Sequence, residues 1–316
     1  MTLRIGIIGA ARVATYSMIA PAHANPRTVV AAVAARDPAR ARAYAAVHGI
    51  TRVHDSYAAL VADPDIDLIY VATPPAFHLP HARLAIAAGK PVLVEKPFTM
   101  DASEAETLLA EAAAAGVPIF EAMHSRHRSV WAQIAQLLPT IGDLQHLDAA
   151  FDIAVGTAED EFRWDAALGG GALMDLGVYP LAWVRAVAGE PLAVTSASMR
   201  HERRADAAFT AMIALPNSVT ARVAADMTAP RRAALVITGS AGTLRLDNAI
   251  SQSPGQLLRC TTAAGETQHT LDGPSTFDAQ LAAVVATLCD GMPFPLSTAD
   301  PLASMQAIAM IRAATG

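Results

Sequence analysis

Five short apolar runs in the first 120 residues, separated by segments with readable helix starts and stops, constrain this chain more than any other feature. They are Leu3–Ile8, Val29–Ala34, Leu68–Ala72, Val92–Glu95 and Ile119–Glu121. Each is too short for a buried helix and apolar at nearly every position, as a strand covered on both faces must be. Asp37-Pro38 supplies an N-cap and a proline at the first helical position, and Gly49 closes that helix. Ser56 opens a short helix, Gly89 ends the next, and Asp101 and Gly116 bracket another. Strand and helix in repeated alternation predict an α/β, doubly wound parallel sheet of the Rossmann type over residues 1–122.

After about Met123 the texture changes. A helix is expected around Val130–Leu138, a strand near Leu144–Ile153, and a glycine-led helix from Gly171 to about Ala188. Strand-like runs then follow one another at Leu192–Met199, Ala207–Ala214, Ser218–Ala225, Ala234–Thr238 and Thr243–Leu246, with shorter ones near Leu257 and Thr270. Two closing helices are expected at about Phe277–Asp290 and Thr298–Ala314. Strands without helices between them predict an α+β domain over 123–316, built on a large, mainly antiparallel open sheet. Ala208, Thr210 and Met212 alternate with Phe209, Ala211 and Ile213, so both faces of that strand carry apolar groups. A face without helices would leave an apolar patch, which predicts a homodimer or dimer-based tetramer.

The formal net charge of -6 comes without a basic patch, which argues against nucleic acid or an anionic membrane as partner. No run of 18 apolar residues is present. Arg4, the apolar run after it and Ala22-His23-Ala24 loosely mimic a signal peptide. Two glycines and Arg12 interrupt the run, however, and a first strand with its turn explains it better. A cytoplasmic protein is expected. Cys260 and Cys289 lack a CxxC spacing and read as reduced core residues.

Gly9-Ala10-Ala11-Arg12-Val13-Ala14 falls between the first strand and its helix, where a dinucleotide fingerprint G-x-G-x-x-G/A belongs. Gly9 and Ala14 fit; Ala11 stands where the middle glycine lets backbone N–H groups approach a pyrophosphate. One methyl group would shift that phosphate slightly without forbidding it, and a generic strand-to-helix turn stays open. The second strand ends in Ala34-Ala35-Arg36-Asp37. No carboxylate stands at Ala35 to hold a ribose 2′-OH, and Arg36 can pair with a 2′-phosphate through its forked donors. NADP is favoured, with NAD possible.

Glu95-Lys96-Pro97 ends the run Pro91-Val92-Leu93-Val94. A lysine there is costly to desolvate, and the proline stops the strand. Downstream, Gly169-Gly170-Gly171 let a helix start press close to a ligand, and Asp175 and Tyr179, four apart, share a helix face. Tyrosine is a poor base at its reference pKa near 10, but an adjacent ammonium lowers that value, and Lys96 is the obvious source. Lys96, Tyr179 and Asp175 are therefore the candidate catalytic residues: Tyr179 exchanges a proton with a hydroxyl while hydride passes between carbon and nicotinamide. Thr73-Pro74-Pro75 with His78, and Glu121 with His124, Arg126, His127 and Arg128, follow strands at the expected crevice. Gly9, Ala11, Arg12, Val13, Arg36, Thr73, Pro74, His78, Glu95 and Lys96 are the candidate cofactor contacts. Lys96, His124, Arg126, Asp175 and Tyr179 are the candidate substrate contacts. The histidines show no metal-binding spacing, and no metal is expected.

Over nearly its full length the chain resembles the glucose-fructose oxidoreductase / inositol dehydrogenase / MocA family of NAD(P)-dependent oxidoreductases. The resemblance rests on Ile7–Ala14, Ala72-Thr73-Pro74 with His78, Ala88 through Pro97, and Gly169-Gly170-Gly171 with Met174, Asp175, Gly177 and Tyr179. It implies a Rossmann domain followed by a domain whose open sheet often forms a dimer interface. It also implies catalytic roles for the lysine matching Lys96 and the acid matching Asp175, and a cis peptide before Pro97. Tyrosine at 179 and the phrase Ala34-Ala35-Arg36-Asp37-Pro38 are similar to the branch containing dimeric dihydrodiol dehydrogenase and NADP-linked xylose dehydrogenase. Arg163 matches an arginine that approaches the nicotinamide, beside Phe162 where the sugar oxidoreductase has tryptophan. Arg126-His127-Arg128-Ser129 departs from the family's Arg-x-His-Pro. The implied activity is hydride transfer to or from an aldose, cyclic polyol or diol. A catalytically silent nucleotide sensor and an NAD-dependent glycoside hydrolase remain alternatives.

Overall fold

A computed structural model describes residues 2–252 and 255–315. The chain forms two compact units, Met1–His127 with Phe277–Leu302, and Arg128–Thr276 with Ala303–Gly316.

The first unit holds a six-stranded parallel sheet: β1 (Leu3–Ile8), β2 (Thr28–Ala34), β3 (Arg52–His54), β4 (Leu68–Val71), β5 (Val92–Glu95) and β6 (Ile119–Ala122). Their spatial order is β3-β2-β1-β4-β5-β6. The winding reverses between β1 and β4, and the crevice outside the carboxyl ends of those strands is where open α/β sheets bind ligands. β4 and β5 are buried along their whole length, as their continuous apolar runs require. β3 has no such run, because an edge strand of three part-exposed residues buries little. Asp37, Ser56 and Asp101 cap their helices, accepting from Ala39 N, Ala59 N and Glu104 N at 2.8, 3.0 and 2.9 Å. Ile5, Ile7, Val33, Leu68 and Leu93 form one core with Leu281, Val284 and Val285 of the helix Thr276–Asp290. That late helix thus completes the core of the first sheet.

The second unit holds an eight-stranded sheet: β7 (Leu144–Asp152), β8 (Ala193–Glu202), β9 (Ala205–Ala214), β10 (Thr220–Asp226), β11 (Arg232–Gly239), β12 (Gly242–Asp247), β13 (Gln256–Thr262) and β14 (Gly265–Leu271). The order is β14-β13-β12-β11-β7-β10-β9-β8; β7 and β10 run parallel and the other neighbours antiparallel. Burial alternates along β9: Phe209, Ala211 and Ile213 are buried, while Ala208, Thr210 and Met212 are only part-covered. The buried face meets the helical stretch from Leu173 to Ala188, where Phe151 of β7 stands edge-on to Tyr179, ring centroids 5.5 Å apart. On the opposite face short residues such as Ala150, Ala208 and Ala224 lie among ion pairs. Arg222 meets Asp148 at 3.3 Å and Arg232 meets Asp152 at 2.7 Å. By length and composition, one helical stretch among the described residues, Ala166–Ala188, could cross a membrane, but it is 83% buried inside the protein.

Candidate active site

In the first unit the turn after β1 has the shape a dinucleotide needs. Gly9 lies at φ +105°, and a Cβ there would come within 3.2 Å of Thr73 Cγ2 and 3.3 Å of the Ala72 carbonyl, so glycine brings β1 hard against the end of β4. Ala11 lies at φ -104°, ψ 146°, a conformation any side chain adopts, so the missing middle glycine causes no strain. The chain is helical from Arg12 to Ala24, wound as a π-helix over Thr15–Ile19, and no side chain caps its start. Uncapped first-turn N–H groups suit a pyrophosphate, and the residues present fit the cofactor. Arg12 is exposed and Val13 half-buried.

Two residues that sequence reasoning missed brace this turn. Arg40 Nη2 donates to the Ala10 carbonyl at 3.1 Å, and the Tyr44 hydroxyl donates to the Ala11 carbonyl at 3.0 Å. They lie four apart on the helix Pro38–His48, so one face of that helix grips the turn. Arg36 is exposed just beyond the end of β2. Burial raises the Tyr57 phenol pKa, while the Arg36 N–H and the charges of Arg36 and Arg40 act against it.

The loops after β4 and β5 are tied together by His78. Its Nε2 lies 2.7 Å from the Thr73 carbonyl oxygen and its Nδ1 3.0 Å from that of Pro97. The ring is 0% exposed and offers a ligand no open surface; burial pushes its pKa down to about 4 against the pull of those carbonyls, and the neutral ring, with one N–H, donates to one of them while packing its other nitrogen against the second. Thr73 and Pro74 are half-buried, and Thr73 Oγ1 lies 3.0 Å from His81 Nδ1. The Lys96-Pro97 peptide is cis, as the resemblance implied. Glu95 is buried; its carboxylate takes the Tyr70 hydroxyl on Oε1 and the Lys96 N–H, at 3.2 Å, on Oε2. Lys96 itself is half-buried. His124 is buried with its ring stacked on Phe277, centroids 4.0 Å apart, and Arg126 Nη1 lies 3.9 Å from Asp300 Oδ1. Burial, helped by the charge of Arg126, pushes the His127 pKa down to about 4.

In the second unit the glycines of 169–171 let the chain press against its own backbone and side chains. A Cβ on Gly170 would fall 2.5 Å from the carbonyl oxygens of Phe162 and Arg163. Gly171, at φ +111°, would set a Cβ 2.0 Å from Asp206 Oδ1. The protein fills the close approach that the sequence suggested for a ligand. Asp206 Oδ2 accepts from Leu173 N at 2.7 Å and so starts the helix that carries Asp175 and Tyr179; nothing in the sequence marked this lone acid. Burial pushes the Asp206 pKa up, with the Leu173 N–H opposing. Asp175 is half-buried within the π-helical turn Leu173–Gly177, and Tyr179 is buried in the α-helix that continues it. Four residues are about one turn in either winding, so the two stay on neighbouring faces. Arg163 is held by Glu161 through two bonds of 2.9 and 2.6 Å, a planar fork facing a carboxylate.

Comparison with known proteins places this geometry. Residues 3–123 match the Gfo/Idh/MocA description "Oxidoreductase family, NAD-binding Rossmann fold", and residues 131–245 match the Gfo/Idh/MocA C-terminal domain. The dTDP-3,4-didehydro-2,6-dideoxy-alpha-D-glucose 3-reductase of Streptomyces antibioticus is 36% identical over 90% of this chain and 86% of its own. The trans-1,2-dihydrobenzene-1,2-diol dehydrogenase of Sus scrofa is 31% identical over 77% of this chain and 73% of its own. Among solved structures, a 3-ketoreductase from Actinomadura kijaniata in complex with NADP and TDP-benzene superposes with a TM-score of 0.93. It is 28% identical and covers 100% of this chain and 98% of its own. The chain belongs to the Gfo/Idh/MocA family of oxidoreductases.

Proposed function

We propose that this protein is an NADP-dependent dehydrogenase or reductase acting on a hydroxyl or carbonyl carbon of a sugar, cyclic polyol or diol. The observation that carries the reading is the tie between the cofactor turn and Glu95-Lys96-Pro97: Gly9 packs on Thr73, and His78 links Thr73 to Pro97. When bound, the nicotinamide supplies or takes the hydride. Gly9, Ala11, Arg12 and Val13 hold the pyrophosphate at the helix start, Thr73 and Pro74 line the cradle, and Arg36 with Arg40 holds the 2′-phosphate. His78 and Glu95 act by fixing the loops that carry these groups. By the family resemblance, Arg163 would be the arginine that approaches the nicotinamide.

In the reducing direction Tyr179 gives its phenolic proton to the oxygen that gains charge, and the Lys96 ammonium stabilises the phenolate left behind. Asp175, His124 and Arg126 bind substrate hydroxyls. The names of the relatives favour a keto sugar, free or nucleotide-linked, as the oxidised substrate, with a vicinal diol as the second reading. A silent sensor would have no use for Lys96, Asp175 and Tyr179 together. A glycoside hydrolase would retain its cofactor through turnover and act on aryl glycosides. Assay of keto sugars, aldoses and diols against both cofactors tests the proposal, and turnover with none of them would refute it.

Arg36→Ala should raise the NADP Michaelis constant about 5- to 150-fold, the factor that about 1–3 kcal/mol of charge-assisted bonding gives, and barely change that for NAD. A wild type that uses NAD better than NADP would contradict this.

The proposal includes a cytoplasmic enzyme, on the strength of two free cysteines, Cys260 and Cys289. It also includes a homodimer or dimer-based tetramer, joined through the sheet face that carries Ala150, Ala208, Thr210, Met212 and Ala224. Short side chains and internally paired charges make that face flat enough for a second copy. Sedimentation should give at least a dimer at micromolar concentration; a monomer would remove this part.

A further inference from the structure

A chain of buried polar groups in the first unit takes no part in the proton transfer just described. Ser17 lies in the π-helical segment Thr15–Ile19, is 0% exposed, and sets its Oγ 2.8 Å from the Val13 carbonyl oxygen. The same Oγ lies 2.6 Å from the Tyr70 hydroxyl. Tyr70, on β4, is also 0% exposed, and its hydroxyl donates to Glu95 Oε1. Glu95 Oε2 accepts the Lys96 N–H at 3.2 Å. With the Tyr70 proton on Glu95, the single Ser17 proton serves the Tyr70 oxygen and the Val13 carbonyl between them, so the links run from Ser17, in the helix after the nucleotide turn, through Tyr70 and Glu95 to the backbone of Lys96.

The arrangement is costly unless it does something. A phenylalanine would fill the Tyr70 site without a hydroxyl to satisfy, and a buried carboxylate needs donors on both oxygens. Burial, then the Glu95 charge, raises the Tyr70 pKa well above the ordinary tyrosine value, so the phenol remains a proton-bearing donor throughout the working range. The π-helical winding shifts residues around the helix axis relative to an α-helix, and Ser17, in the middle of that segment, is the residue turned toward Tyr70.

We propose that Tyr70 is a positioning residue: by holding Glu95 against the helix that follows the nucleotide turn, it sets Lys96 in register with the cofactor cradle. This rests on the reading of Lys96 as a catalytic group. Tyr70 touches neither substrate nor cofactor, and its loss acts through the placement of the lysine.

Tyr70→Phe keeps the ring and removes only the hydroxyl. Turnover per NADPH-binding site should fall about 10- to 100-fold, the scale of a misplacement of about an ångström, while substrate KM and the NADPH dissociation constant change little. Ser17→Ala should lower kcat in the same sense but less, and the double variant should be no worse than Tyr70→Phe, because the links are in series. Lys96→Met is the control. If Lys96→Met abolishes turnover while Tyr70→Phe keeps wild-type kcat, the positioning role is wrong and the functional reading stands. If Lys96→Met turns over normally, the functional reading fails and the positioning role falls with it. A lower melting temperature with unchanged kcat per site would show Tyr70 to be structural only and overturn the proposal. Should Tyr70→Phe not fold, Ser17→Ala decides: a lower kcat at constant KM supports the role, and wild-type kcat rejects it.

Discussion

Tyr179→Phe should lower turnover by on the order of 100-fold or more, the usual scale of general acid–base catalysis, and leave the NADPH dissociation constant unchanged. The ring is buried and edge-on to Phe151, so phenylalanine keeps the ring packing and removes the hydroxyl that carries the proton. Lys96→Met should be at least as damaging, because it removes the charge that makes the phenolate a tolerable product of proton donation. The double variant should be little slower than either single one, since residues that act as a unit lose their effect together. Steady-state rates at saturating NADPH, with binding followed by cofactor fluorescence, check all three. Wild-type turnover in Tyr179→Phe would reassign the proton to another group, with Asp175 and His124 next in line.

Gly171→Ala should destabilise the second unit by about 2–3 kcal/mol. A side chain at φ +111° costs about 1–2 kcal/mol of backbone strain. The new Cβ would lie 2.0 Å from Asp206 Oδ1, so the carboxylate must move and release the Leu173 N–H, a loss of about 1 kcal/mol more for a helix start. Thermal unfolding followed by circular dichroism should show the midpoint falling by about 2–4 °C per kcal/mol. Asp206→Ala removes the same bond without the strain, so combining the two should cost less than the sum of the separate losses. Melting of Gly171→Ala with the wild type, or strict additivity with Asp206→Ala, would contradict this account.

The parts of the fold that were legible in the sequence are those where one local pattern decides the outcome. β4 and β5 could be read because strands covered on both faces are apolar at nearly every position, and the caps Asp37, Ser56 and Asp101 because one side chain fixes one helix start. β3 could not, since Arg52–His54 is a strand only by pairing with β2 at the sheet edge. The helix Thr276–Asp290 was visible as a helix, but an apolar face does not say which core it will cover. The same limit applies to the site. Gly9, Lys96, Asp175 and Tyr179 stand in local motifs. Arg40 and Tyr44 show a helical spacing whose target, the turn at Ala10 and Ala11, lies some 30 residues earlier. Tyr70 passed as one more member of an apolar run, because nothing local says that its hydroxyl has a buried partner or which one it is. Gly169-Gly170-Gly171 announced a close approach correctly, but not that Asp206 and the 162–163 backbone fill it.

The central claim is hydride transfer, and isotope transfer tests it most directly. NADPH carrying deuterium at the nicotinamide C4 should be incubated with the purified protein and a panel of keto sugars and diketones. The account predicts that one C4 face delivers deuterium to the new carbinol carbon of at least one product, and that Lys96→Met and Tyr179→Phe deliver it far more slowly at equal cofactor occupancy. Tight NADPH binding with no deuterium in any product would contradict it and leave the silent nucleotide sensor as the better description.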